Sequence, residues 1–191
     1  MTRLHLVRHG PTHARTMVGW TDLPADLGDA AAIARLSDHL PRAPVVSSDL
    51  IRAVATADAI LGGRPRLPPD AALREIHFGT WENRSHDDIA AEDPTRIRAY
   101  WETPGTVAPP EGESWDRAVA RISPAIDGYL AGAGSDLIVV CHFGVILTQL
   151  QRALGVPTTD VFAHRIEPLS VTTIATDPVG GWTVEGVNHL P

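Results

Sequence analysis

Cysteine is almost absent from this 191-residue chain, which carries one, Cys141. An internal disulfide and a multi-thiolate zinc site are thereby excluded, and so little cysteine suits a reducing compartment, so a cytoplasmic protein is expected. No run of about 18 apolar residues occurs, which removes a membrane helix. Charged residues interrupt the N-terminus at Arg3 and Arg8, before a signal-peptide apolar region could form. Positive charge is in deficit: 16 Lys plus Arg against 23 Asp plus Glu leave a net −7, which argues against broad nucleic-acid binding. The motifs of P-loop nucleotide binding, dinucleotide binding and the serine-hydrolase elbow are also missing.

What is present is 43% hydrophobic residues in a length that fills one domain. Leu4–Val7 reads as a buried strand ending at Arg8-His9-Gly10-Pro11. Residues 11–27 have no period and form a long loop, a length that points to function. A helix over 30–40, a strand over 44–49 and a helix over 50–61 follow, with Ser48 or Asp49 expected to cap the second helix. Short helices are expected around 87–92 and 95–101, inside a cap-like insertion at about 76–113. Ser114 opens a helix to about residue 131, which Pro124 should kink or restart. Leu137–Cys141, apolar on both faces, is the best central strand and leads through His142-Phe143-Gly144 into a helix. Two strands, 171–175 and 182–187, close the chain. This alternation predicts a single three-layer α/β/α domain over 1–191 with a largely parallel sheet.

In such sheets ligands gather beyond the carboxyl ends of the strands. That rule brings Arg8 and His9, Arg52 after the second strand, and His142 to one edge. Two guanidiniums and two imidazoles suit a phosphoryl group, because the planar Arg fork grips two oxygens at once. The starts of the two helices after Asp49 and His142 are expected to add backbone N–H groups. A histidine among them can act as a nucleophile.

The segments Arg8-His9-Gly10-Pro11-Thr12, Ser47-Ser48-Asp49-Leu50-Ile51-Arg52-Ala53, Leu73-Arg74-Glu75 with Phe78-Gly79-Thr80-Trp81-Glu82, Gly112-Glu113-Ser114 and Val140-Cys141-His142-Phe143-Gly144 resemble, in order, the histidine phosphatase superfamily. The branch resembled holds the cofactor-dependent phosphoglycerate mutases and their small phosphatase relatives. The resemblance implies that His9 becomes phosphohistidine, that Arg8, Arg52 and His142 hold the phosphoryl oxygens, and that Glu75 is the proton donor and later the base. It implies substrate contacts from Thr12, Arg15, Trp20 and Phe143, no metal and no cofactor. Pro11 and Arg15 depart from the family pattern, which usually has Glu or Gln, and Asn, there. The activity implied is metal-independent hydrolysis of a small phosphorylated metabolite. A mutase and a non-catalytic phosphate-binding module are the alternatives, and the short interval between the Glu75 and Gly112 motifs favours the phosphatase.

Several residues have plainer readings. Glu82 competes with Glu75 for the acid role, Trp81 and Trp101 are candidates for the substrate mouth, and Cys141 reads as a buried thiol.

Overall fold

Strand β1 (Thr2–Arg8) lies at the centre of a five-stranded sheet of order β2-β3-β1-β4-β5. The computed structural model describes residues 1–177 and 179–191. Here β2 is Val45–Ser47, β3 Asp136–Cys141, β4 Val171–Thr176 and β5 Trp182–His189. The pairs β2·β3 and β3·β1 are parallel, while β1·β4 and β4·β5 are antiparallel. Parallel pairing therefore covers the three strands that carry the site, and the far side of the sheet is antiparallel. The chain after β4 turns back in a few residues, too short a link for a parallel crossover.

Six of the helices flank or cap the sheet: α1 (Ala30–His39), α2 (Ile51–Ala59), α3 (His86–Glu92), α4 (Pro94–Glu102), α5 (Trp115–Gly132) and α6 (Phe143–Leu154); α7 (Thr158–Val161) is a single turn. Alternation along β1 decides the layers. Leu4 and Leu6 face α5 and α6, and Val7 faces α1 and α2. Each such fully buried side chain contributes about 1.5–3 kcal/mol. Ala53 and Ala57 on the inner face of α2 are fully buried, and their small size lets that helix lie close against the sheet.

Residues 76–113 contribute α3 and α4, which pack around Trp81, Ile89, Ile97 and Tyr100. Trp81 is 2% exposed inside this cluster, so the expectation that it faces a substrate mouth is corrected. Helix α5 starts at the N-cap Ser114 as expected and continues through Pro124 without a break. The capping expectation for α2 is also corrected. Its N-cap is Leu50, with no side-chain cap bond of its own, and the Ile51 N–H donates to Asp22 from the 11–27 loop at 2.7 Å. Asp49 is engaged elsewhere, in a two-pronged ion pair with Arg74 at 2.7 and 2.6 Å. A bidentate charge pair outcompetes a cap bond.

Candidate active site

Register places the first two residues of the site. Arg8 pairs with Cys141 across the β1·β3 ladder, and the His9 N–H continues it by donating to the Cys141 carbonyl at 3.0 Å. His9 and His142, one step beyond each strand, consequently stand side by side with ring centroids 5.0 Å apart. Both are buried. The Gly10 N–H donates to Thr56 Oγ1, which in turn donates to the Arg52 carbonyl, so the backbone carrying His9 is tied to α2.

The His9 ring has one nitrogen at each of two tasks. Nδ1 lies 2.6 Å from the Gly10 carbonyl and must be the protonated one, since a carbonyl only accepts. Nε2 receives the Arg52 Nε–H at 3.3 Å and holds the lone pair. Burial first, then the Arg52 charge, lowers the His9 pKa to about 3, which keeps the ring neutral. His142 is held well below its ordinary value by burial and by its neighbours His9, Arg52 and Arg8. Both of its ring nitrogens, and Nε of Arg8, are buried without a hydrogen-bond partner. Buried polar atoms without partners are costly, so these groups retain hydrogen-bonding capacity that an oxygen-rich ligand could satisfy.

Arg52, 1% exposed, spends its other two nitrogens on the Thr21 and Gly19 carbonyls, at 2.8 and 2.6 Å. Glu82 holds that loop in place. Its carboxylate accepts from the backbone of Gly19, Trp20, Thr21 and Phe78 and from the Thr21 hydroxyl. These bonds hold the Glu82 carboxyl below its usual value despite burial. Glu82 thus acts as a clasp on the loop.

Glu75 is buried beside Gly144. Its Oε1 accepts from the Ile76 N–H at 2.9 Å, and both oxygens accept from the Gly144 N–H in the first turn of α6, at 3.0 and 3.1 Å. Burial nevertheless dominates and raises its pKa, favouring the protonated acid. Gly144 is required here, because a Cβ at that position would collide with Glu75 Oε1. At each helix start one amide is already engaged: Asp22 takes the Ile51 N–H and Glu75 takes the Gly144 N–H.

The remaining sequence candidates divide. The Trp20 indole N–H donates to the Glu75 carbonyl at 2.8 Å, and its ring packs against the Arg74 and Arg121 guanidiniums. Trp20 therefore braces Glu75 from behind. Phe143 packs against Arg8, whose charge lies 5.5 Å from the ring centroid. Thr12 is half-buried and Arg15 exposed on the long loop. Sequence reasoning missed Arg121, which donates to the Ala72, Arg74 and Glu75 carbonyls and to Glu113. Glu113 in the Gly-Glu-Ser motif was its only trace, and a pair eight residues apart across a helix start has no sequence signature. His13 pairs with Asp26 on the surface, away from His9. Cys141 is fully buried, and burial pushes its thiol up. Among the described residues no group of three metal-binding side chains converges, and no helix is long and apolar enough to cross a membrane.

Comparison with known proteins shows what the chain as a whole is similar to. The model of the histidine phosphatase superfamily (branch 1) matches residues 4–189. The chain is 32% identical to an adenosylcobalamin/alpha-ribazole phosphatase of Salmonella typhimurium, covering 86% of each chain. It is 34% identical to a glucosyl-3-phosphoglycerate phosphatase of Mycolicibacterium vanbaalenii over 81% of this chain and 75% of that one. Among solved structures, Bacillus stearothermophilus YhfR superposes with a TM-score of 0.89 at 29% identity, covering 100% and 98% of the two chains. A mycobacterial glucosyl-3-phosphoglycerate phosphatase with inorganic phosphate gives 0.84 at 28% identity, covering 99% and 98%.

Proposed function

Because the chain belongs to the histidine phosphatase superfamily and is a phosphoric monoester hydrolase, we propose that His9 is its nucleophile and Glu75 its proton donor. The observation that carries this reading is the division of labour on the His9 ring, with Nδ1 held by the Gly10 carbonyl and an unprotonated Nε2 facing Arg52.

In the first step the Nε2 lone pair attacks phosphorus. The N–P bond forms as the ester O–P bond breaks, and the departing oxygen takes the Glu75 proton. Arg8, Arg52 and a ring N–H of His142 hold the three non-bridging oxygens, on which transition-state charge spreads. In the second step Glu75, now a carboxylate, removes a proton from water. The water oxygen bonds to phosphorus, the P–N bond breaks, and inorganic phosphate leaves with Glu75 again protonated. Every proton and bond is accounted for by these side chains and water.

The substrate we infer is a small phosphorylated metabolite in the cytoplasm, in keeping with the relatives' names and with the net −7 charge. We read residues 1–191 as one domain with 76–113 as a cap-like insertion, and Thr12 and Arg15 as contacts from the long loop. The test is phosphate release from a panel of monoesters in EDTA, with His9→Ala beside it. Release that survives the chelator and disappears in the variant is expected. Conversion of 3-phosphoglycerate to 2-phosphoglycerate without release would establish the mutase instead.

A further inference from the structure

We propose that this hydrolase selects monoesters whose alcohol half carries an aromatic ring, seated against a wall of aromatic side chains beside Glu75. The inference rests on the assignment of Glu75 as the donor to the leaving oxygen. Whatever fills the space next to that carboxyl is bonded to the oxygen it protonates, so the lining of that space reports the leaving group.

The lining is unusually biased. Aromatics make up only 5% of the chain, yet Phe78, Tyr100, Trp101, Phe143 and Phe162 surround one narrow cavity with Glu75 and Gly144. All three phenylalanines of the sequence are in it. They come from four separate stretches: the turn after Glu75, α4, the start of α6 and the segment after α7. The rings form a connected edge-on series, Phe78 to Tyr100 at 6.3 Å, Tyr100 to Trp101 at 5.0 Å and Trp101 to Phe162 at 5.8 Å. Aromatic groups favour such edge and offset contacts over simple burial.

The chemistry of the wall also excludes. No Arg or His is among its lining residues, so a carboxylate in the leaving group would lose its water without gaining a cation. A polyhydroxyl sugar would find only the Tyr100 hydroxyl, the Trp101 indole N–H and the Glu75 carboxyl as polar side-chain groups there. A flat apolar ring loses nothing by entering. The cavity is about 30 Å³, the size of a single water-sized group, so the ring enters by displacing a side chain. Trp101 is suited to that movement, being 37% exposed on the outer turn of α4, with its contacts to Tyr100 and Phe162 made edge-on.

The experiment compares benzyl phosphate with ethyl phosphate, whose leaving alkoxides are of similar basicity, and with 3-phosphoglycerate. A kcat/KM advantage of about tenfold or more for the benzyl ester is expected, falling towards parity in Trp101→Ala and in Phe162→Leu. Circular dichroism and melting confirm that both variants fold. Equal rates for benzyl and ethyl esters, or a preference for 3-phosphoglycerate, would overturn the aromatic wall while leaving the phosphatase intact. Hydrolysis of none of them would overturn the catalytic assignment itself. In that event binding of benzylphosphonate against ethylphosphonate by calorimetry judges the wall alone: tighter binding of the benzyl compound upholds it, and equal binding ends it.

Discussion

Arg52 points its Nε–H at Nε2 of His9 across 3.3 Å. A cation that donates to the ring's lone pair keeps that nitrogen unprotonated and in place, and in the proposed mechanism it must let go when phosphorus arrives. The same guanidinium is then positioned to follow the charge onto a phosphoryl oxygen, since its other two nitrogens stay on the Gly19 and Thr21 carbonyls.

Rapid quenching during turnover is expected to trap a phosphoryl group on His9, seen by mass spectrometry of the peptide. His9→Ala should lower kcat by roughly 10³-fold or more and yield no labelled peptide. A label on any other residue would displace His9 from its role.

Glu75→Gln cannot give up a proton to the leaving oxygen. Alkyl esters should lose about 10²–10⁴-fold in kcat, whereas p-nitrophenyl phosphate, whose leaving group needs little help, should lose far less in the phosphorylation step. Burst kinetics separate that step from dephosphorylation. Equal losses in the burst for both esters would argue that Glu75 does not act as the acid.

Gly144→Ala tests the placement of the same carboxyl without touching its chemistry. The new methyl group collides with Glu75 Oε1 and Ile76, and a displacement of about 1 Å is enough to cost on the order of 10²-fold. The loss should fall on kcat for alkyl esters, with phosphate affinity little changed.

Glu82→Ala releases the loop whose carbonyls hold Arg52. Four backbone N–H groups and a hydroxyl lose a charged partner, at a cost of about 1–3 kcal/mol after water enters the partly exposed site. Urea unfolding should show that loss, and KM should rise because Arg52 is no longer braced.

Stability should depend on pH through three buried groups with opposing signs. His9, with a pKa of about 3, and His142, well below 6.5, stay neutral in the fold while the unfolded chain takes up protons below 6.5. Their contribution is complete above pH 6.5 and falls as pH drops, by at most about 1.4 kcal/mol per histidine per pH unit. Glu75 has a raised pKa, so its contribution is complete below 4.5 and is lost as pH rises through the folded value. Two histidines outweigh one glutamate, and urea midpoints should be lower at pH 5 than at pH 7. His142→Gln should flatten that difference.

The layers and the gathering of Arg8, His9 and His142 were readable because those residues sit at strand ends, which are marked by apolar runs stopping at polar residues, and Arg52 follows in the first turn of the helix after β2. Leu137–Cys141 is the clearest case. What could not be read was how charges pair off across the fold. Ser48 and Asp49 look like caps in a linear sequence, yet Asp49 has Arg74 within two-pronged reach and Asp22 arrives from the loop to take the Ile51 amide. Trp20 has the same explanation. A tryptophan in a loop looks available to substrate until its N–H is found on the Glu75 carbonyl. Arg121 left no trace beyond its partner Glu113, since its other acceptors are the carbonyls of Ala72, Arg74 and Glu75, more than forty residues away.

Strand β1 leads directly into His9 and sits in mid-sheet, yet both of its neighbours, β3 and β4, come from beyond residue 135. During synthesis β1 must wait for β3 and β4, which follow it by more than a hundred residues, so its apolar edges stay open until those strands emerge. Pairings of such separation make folding slow and leave the early chain prone to aggregation. They also give a form of safety: no nascent chain that stops short of β3 can bring His9 beside His142, so the paired imidazoles come together only once the sheet that holds them can form.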